Sequence, residues 1–455
     1  MKESIPLVLR DARRTRRRHA WAAVQRRRLA DLVEHARTHS PYYRDLYRGL
    51  PSGLDDPARL PVTGKAALMA HYDQWATDRE VTLERARAFV ADPALVGGRF
   101  LDRYLAVTTS GTTGNPAIFV KDDRDIAVNY ALGMRMMVSW LDAGDVPRIV
   151  AGGGRMAIVA AANGHFLVSA GAARMRASRL RRRTVRLFPV HAPLDALVEA
   201  LNEFRPALLL GYGSVLGMLA AEQEAGRLRI APALVEPAGE TLTGGDHERM
   251  ARAFGAKVRD TYGASECPFL TEGCAHGWYH VNSDWAVVEP VEADHSPTPP
   301  GEPSHTVLIT NLANRVQPIL RYDLGDSVLR RPDPCPCGDP RPALRVQGRV
   351  ADLLTFTTGR GQGVIAPLML NTLVDRTPGV QLYQIVQTGP AGLRVRLRAT
   401  PEADPERVWR AVCEGIAGLL AEHRLKHVIL ERADEPPQQS AGGKYRTVIP
   451  LKDPA

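Results

Sequence analysis

The stretch "YLAVTTSGTTGNPAIFVKDD", residues 104–123, decides how the chain is to be read. Its middle, Thr108–Pro116, holds five hydroxyl side chains and two glycines and no charge. β-rich runs flank it on both sides. Glycines let several backbone N–H groups turn toward one anion, and hydroxyls add further donors. The arrangement G-x-x-x-x-G-K-[ST] is absent, because Lys121 lies seven residues beyond Gly114. The residues therefore predict a phosphate-binding loop between two strands, with a plain polar turn as the alternative.

Outward from this loop, short β-rich runs alternate with helical patterns from about residue 104 to 330. The runs "YLAVTTS", "RIVAGGG", "ALLLGYG", "KVRDTYG" and "TVLITNL" read as strands. Residues 193–204 and 245–254 read as helices between them. Such alternation predicts an α/β domain with mainly parallel strands. Before it, Leu29, Leu32, Val33 and Ala36 recur at helical spacing within 20–47. Pro41 should break that helix, since the residue before a proline favours an extended backbone. Pro and Gly crowd 294–304 and 330–342, which read as loops. After about residue 352 the texture changes to two strands, a helix over roughly 405–423 and the strand "HVILERAD". The expected organisation is a large N-terminal domain, 1–351, with β-sheets flanked by helices, and a small mobile α+β domain, 352–455.

The length of 455 residues agrees with more than one core. No apolar run is long enough and free of polar residues to span a membrane. "IPLVL" near the start is too short for a signal-peptide core, so the expected location is cytoplasmic. The formal charge is +9, with two basic clusters, residues 1–30 and "RMRASRLRRRTVR" at 174–186. Seven of the 59 basic residues are lysine, so arginine runs carry little weight in this chain. No aromatic residues interleave in the pattern of a single-strand binder. Solvated faces or the steering of small anions are preferred, and no nucleic-acid partner is expected.

The loop resembles the phosphate-binding motif of the adenylate-forming superfamily, and other pieces follow in that superfamily's order. "AGETLTGG" (238–245) and "RDTYGASE" (259–266) resemble its adenine- and magnesium-binding stretches. "RYDLGDSV" (321–328) resembles its ribose motif, "QGRVADLL" (347–354) its hinge, and "SAGGKYRTVIP" (440–450) its C-terminal lysine motif. "HSPYYRDLY" and "CPCG" narrow the resemblance to the phenylacetate–coenzyme A ligase-like branch. It covers residues from about 30 to 450.

The resemblance implies that Thr109, Ser110, Gly111, Thr112, Thr113 and Gly114 hold ATP phosphates. Gly239, Glu240, Asp260, Thr261, Tyr262 and Gly263 would meet the nucleotide, and Ala264 would face the acid. Beside the match, chemistry assigns roles. Glu266 offers a hard oxygen to Mg²⁺; a turn glutamate is its alternative. Tyr262 could stack on adenine or belong to the core. Asp326 can accept from two ribose hydroxyls, or pair with Arg321. Arg349 would contact ribose or phosphate, or form a surface salt bridge. Lys444, between Gly443 and Tyr445 in an arginine-rich chain, offers a compact ammonium for the reacting carboxylate and phosphate; an exposed tail lysine is the alternative. "NGHF" (163–166) and "GYGS" (211–214) fall where the family lines its carboxylate pocket, which brings in His165, Tyr212 and Gly213. His165 could equally be structural. "GYGSVLG" is no G-x-S-x-G elbow, which excludes a serine hydrolase of that type.

Cysteines stand at 267, 274, 335, 337 and 413. Cys274, His280, Cys335 and Cys337 suit a closed tetrahedral Zn²⁺ site, with Cys267 and His276 as competitors and reduced, unliganded thiols as the alternative. The resembled branch includes members with such a zinc site. The implied activity is ATP-dependent, AMP-forming activation of a small, aromatic carboxylic acid, then transfer to coenzyme A. At the hinge, Ala351 stands where the family has Asp, and Asp352 is one later. An amine, a carrier-protein thiol or an inorganic nucleophile is therefore retained as an alternative acceptor. A non-catalytic binding protein is the other alternative. The oligomeric state is left open, a homodimer included.

Overall fold

A computed structural model of the chain describes residues 21–109, 117–162, 164–179, 181–190, 192–240, 242, 244–349, 354–358, 361–365, 367–375, 377–438 and 446–451. At its centre lies a parallel five-stranded sheet. The strand Met156–Ala160 sits between Val185–Pro189 and Leu208–Tyr212, followed by Leu234–Ala238 and the short Lys257–Val258. The helices Leu194–Phe204, Gly213–Glu224 and Gly244–Phe254 connect these strands. Both faces are covered, which is why the strands read as nearly continuous apolar runs. Val159, Leu209 and Val235 pack with Leu201, Leu216 and Met250. Leu208 and Leu234, on the opposite face, pack against Met136 and Trp140 of the helix Asp123–Trp140.

Two expectations are corrected. "RIVAGGG" is not a strand: Asp145–Ala151 is helical, and the strand begins at Met156. Gly153 and Gly154 end that helix with φ of +62° and +61°, a conformation open to glycine. Val150 is 71% exposed, so its β-branched side chain fills no sheet face. The mainly parallel character also stops at Val258. Between Thr271 and Arg349, apart from a parallel pairing with the short strand Thr63–Gly64, the strands pair antiparallel. Thr306–Asn311 pairs with Ala286–Val291 and Ile319–Asp323. Asp326–Arg330, Ala343–Arg349, Tyr279–Val281 and Thr271–Gly273 form a second sheet.

The N-terminal helices wrap this antiparallel part. Trp21–His39 ends before Pro41, and Ser40, with φ −104° and ψ 116°, caps Pro41–Leu46 by accepting from the Tyr43 N–H. The Arg28 guanidinium lies 3.2 Å from the centre of the Trp285 ring. Tyr43 and Trp75 both donate to the Pro318 carbonyl, at 3.0 and 2.7 Å.

Beyond Leu354 the chain forms a separate cluster of buried side chains. Strands Ile429–Arg432, Gly392–Ala399, Val380–Gly389 and Val448–Ile449 lie side by side. The helix Pro405–Glu422 buries Val408, Val412, Ile416 and Leu420, one face at helical spacing. These pack with Leu354, Phe356, Leu370 and Ile385. Among the described residues, no helix is long and apolar enough to cross a membrane.

Candidate active site

A cleft of about 2880 Å3 opens over the carboxyl ends of the parallel strands, and Tyr383, Arg398 and Arg446 line it from the C-terminal segment. Carboxyl ends of parallel strands are where open α/β sheets place ligands, because the loops there are free to diverge.

The loop after Val258 runs along the head of the cleft. Gly263 is required there: a Cβ would fall 2.0 Å from the Pro268 carbonyl oxygen. Ala264 and Cys267 exchange backbone hydrogen bonds of 3.1 and 3.0 Å, and Thr271 ties the Tyr262 backbone. This tight turn carries Glu266 under cover, 7% exposed. Tyr322 donates its hydroxyl to Glu266 Oε1 at 2.9 Å. Asn311 holds the Glu266 carbonyl at 2.9 Å and the buried Asp125 carboxylate at 3.0 Å. Beside them the Tyr262 hydroxyl donates to Asp326 Oδ2 at 2.8 Å. Glu266 is thus no surface turn residue. Asp326 does not pair with Arg321, whose guanidinium turns to Glu289 and to the carbonyls of Ala58 and Leu60. The Arg349 backbone stands opposite Asp326 in the neighbouring strand.

Asp260 accepts from the Tyr279 hydroxyl at 2.7 Å and lies 3.1 Å from His247 Nε2. Glu240 accepts from the Ser214 N–H and hydroxyl at 2.6 and 3.1 Å. Gly239 takes φ +75° at the same rim. Thr261, Tyr212 and Gly213 also line the cleft. At Gly213 a Cβ would crowd the Leu242 side chain, 2.6 Å away.

The hairpin Leu105–Thr108 and Ile118–Lys121 carries the hydroxyl-rich loop. Thr109 closes its base: its N–H donates to the Ala117 carbonyl at 3.0 Å, and its hydroxyl accepts from the Ala117 N–H at 2.9 Å. Ser110, Gly111, Thr112, Thr113 and Gly114 lie outside the described residues, as do Ala351, Asp352 and Lys444. His165 is not among the side chains lining the cleft. It is 1% exposed, with Nε2 3.0 Å from the Asp92 carbonyl and its ring edge-on to Phe89.

Behind the head, the ligand atoms of Cys274, His280, Cys335 and Cys337 lie within 4.8 Å of one another. Cys274 Sγ is 3.8 Å from Cys335 Sγ, and Cys337 Sγ is 3.2 Å from His280 Nε2. Tetrahedral zinc with Zn–S bonds of about 2.3 Å would place its sulfurs roughly 3.8 Å apart, so the donor set fits. His280 Nδ1 stands 3.2 Å from the Arg341 carbonyl, an outer contact that leaves Nε2 toward the thiols. Cys267 and His276 are outside this group.

Tyr322, Asn311, Asp125 and Glu236 were not singled out in the sequence. Tyr322 lies inside "RYDLGDSV" but its direction is set by the strand, and Asn311 and Asp125 meet across a separation of 186 residues.

No family model matches the chain. Protein CapK of Staphylococcus aureus is 25% identical over 219 residues, 47% of either chain, so the match spans about half the length of that curated relative. Among solved structures, 2-hydroxyisobutyryl-CoA ligase in the postadenylation state with 2-HIB-AMP is similar at TM-score 0.63 and 22% identity, over 94% of this chain and 89% of that one. The same ligase with 2-HIB-AMP and CoA in the thioesterification state gives 0.52 and 24%, over 96% and 90%. The chain has the fold of these adenylate-forming ligases.

Proposed function

We propose that this chain is an ATP-dependent, AMP-forming ligase that activates a small carboxylic acid as its acyl-adenylate and passes the acyl group to coenzyme A. The carrying observation is the pair of hydrogen-bonded couples at the cleft head, Tyr322–Glu266 and Tyr262–Asp326. They support reading Glu266 as the holder of a metal–phosphate group and Asp326 as the acceptor from a ribose, on a fold whose solved examples hold acyl-AMP and CoA.

In the first half-reaction a carboxylate oxygen bonds to the α-phosphorus of ATP and pyrophosphate leaves. In the second, the thiol sulfur bonds to the acyl carbon, AMP leaves, and the thiol proton passes to solvent. Such chemistry needs positioning and charge neutralisation rather than covalent help. Glu266 would hold Mg²⁺, which supplies charge to the phosphates when bound. Tyr322 fixes the Glu266 carboxylate in its buried seat, and Asp326 accepts from the ribose. The hydroxyl loop 109–114 would cradle phosphates, and Arg349 would support ribose or phosphate. Residues 1–351 and 352–455 would act as two domains, the second carrying Lys444 to the reacting carboxylate and then withdrawing it. Cys274, His280, Cys335 and Cys337 would hold one structural Zn²⁺, which suits a reducing, cytoplasmic setting.

The test is a pyrophosphate-release screen over benzoates, phenylacetates, cinnamates and aliphatic acids, with and without coenzyme A. Acid-dependent release, with thioester formed only when coenzyme A is present, is expected for at least one aromatic acid. Release that ignores every acid sinks the reading. Release with no thioester removes coenzyme A as acceptor.

A further inference from the structure

One carboxyl in the cleft has no part in that scheme. Glu236 lies in the strand Leu234–Ala238, directly across from Leu210, which is itself across from Ile158. The row Ile158–Leu210–Glu236 is preceded on the same sheet face by Met156–Leu208–Leu234. Leu208 and Leu234 pack against the helix Asp123–Trp140, so Glu236 points into the same layer, one row nearer the strand ends. It is 8% exposed and lines the cleft with Met134, Met137 and Phe269. Among the described residues no group hydrogen-bonds to its carboxyl. The charged group that acts on it is Asp260, of like sign.

A carboxyl set in an aliphatic row without a described protein partner depends on the cleft for its hydrogen bonds, a need that a leucine there would not have. The position faces a ligand cavity rather than the closed core. A ligand can therefore supply the missing partner.

We infer that Glu236 is a specificity-determining residue, and that the acid this protein activates carries a second polar group, a hydrogen-bond donor, that meets Glu236 along an otherwise apolar wall. The inference rests on the acid-activating reading and names its substrate class: an acid with an apolar body and a hydroxyl or amino substituent away from the reacting carboxylate. Such a site discriminates strongly, because the analogue lacking the donor leaves the buried carboxyl unpaired.

The experiment uses the full chain and a matched series of acids: a plain aryl or alkyl acid, and its positional hydroxyl- and amino-substituted analogues. Acid-dependent ATP–pyrophosphate exchange gives kcat and KM for each, and calorimetry gives binding without ATP. For the wild type, one donor-bearing acid is expected to exceed its plain parent by at least about 100-fold in kcat/KM, carried by KM. Glu236→Leu should erase that preference while leaving the KM for ATP unchanged. Glu236→Gln separates the two donors. It should keep a preference for hydroxyl, whose partner needs no charge, and lose one for ammonium. A best substrate without a donor, or a preference that survives Glu236→Leu in folded protein, overturns the inference. If exchange fails for every acid while calorimetry still shows the Glu236-dependent preference, the adenylation reading falls and the recognition role stands. Absence of both exchange and binding overturns both.

Discussion

The two ends of the cleft are built on opposite plans. At the head, the candidate carboxylates already have partners: Glu266 has Tyr322 and Asp326 has Tyr262. The supporting turn admits no side chain at Gly263. On the apolar wall, Glu236 is buried with no described partner. Under the proposed function, a preassembled head needs no reorganisation when a nucleotide arrives. Under the inference drawn for Glu236, the wall is completed by the substrate itself. Changes at the head should therefore slow every acid alike, whereas changes at the wall should re-rank the acids.

The largest expected effect is at Lys444. Lys444→Ala should lower adenylate formation by about 10³, equally for each acid, in the range seen when one electrostatic group is removed. Conversion of a supplied acyl-adenylate should remain near the wild-type rate. Single-turnover assays of the two half-reactions check this, and equal loss in both removes the lysine from its role. Glu266→Gln follows, with a loss of about 10² and a shift of the magnesium titration to higher concentration. An unchanged magnesium midpoint would take Glu266 out of the metal site.

Cys335→Ser probes whether the head is held in order from behind. Metal analysis should find about one zinc per wild-type chain and well under half in the variant. The melting temperature should fall by roughly 5 °C and the KM for ATP should rise for all acids. Re-ranked acids would break the separation between head and wall.

An effect on stability alone is read at Glu236 through pH. Burial, together with the charge of Asp260, pushes its carboxyl up from 4.5 to about 8. Between these values the folded chain keeps a proton that the unfolded chain has released. Stability is therefore lost as pH rises through the window, and the loss is complete above about 8. Glu236→Gln removes this slope. Its melting temperature relative to wild type should rise by about 5 °C between pH 5 and pH 9, as differential calorimetry would show. A parallel pair of curves would mean that the carboxyl is solvated.

Much of this was legible in the sequence. Leu29, Leu32, Val33 and Ala36 mark one buried helix face, and Ser40-Pro41 marks its end. The strands of 208–212 and 306–311 read directly from their apolar runs, because their side chains are buried or form the apolar wall of the cleft. "RIVAGGG" misled because Ile149 and Val150 carry strand propensity while the following glycines complete a helix end. The motifs located Glu266, Tyr262 and Asp326, but not what holds them. Asn311 reaches Asp125 and the Glu266 carbonyl only through tertiary structure, and Arg321 reaches back to Ala58 and Leu60. Glu236 was invisible for a different reason. A lone glutamate in an apolar run suggests a solvated edge, and only the cross-strand row shows it facing the cavity.

The shared anchor of Tyr43 and Trp75 on the Pro318 carbonyl bears on how the chain is made. Those bonds span 275 and 243 residues. At a synthesis rate of roughly 5–20 residues per second, the first helices wait about 10–50 s for the strand that covers them. During that interval Tyr43, Tyr47, Tyr72 and Trp75, all buried in the finished protein, stand exposed on the nascent chain. All strands of the parallel sheet of 156–258 are synthesised before Pro318, so that sheet has its partners while the amino-terminal helices still lack theirs. A fragment ending before Pro318 should therefore leave these aromatic residues accessible, whereas the full chain buries them.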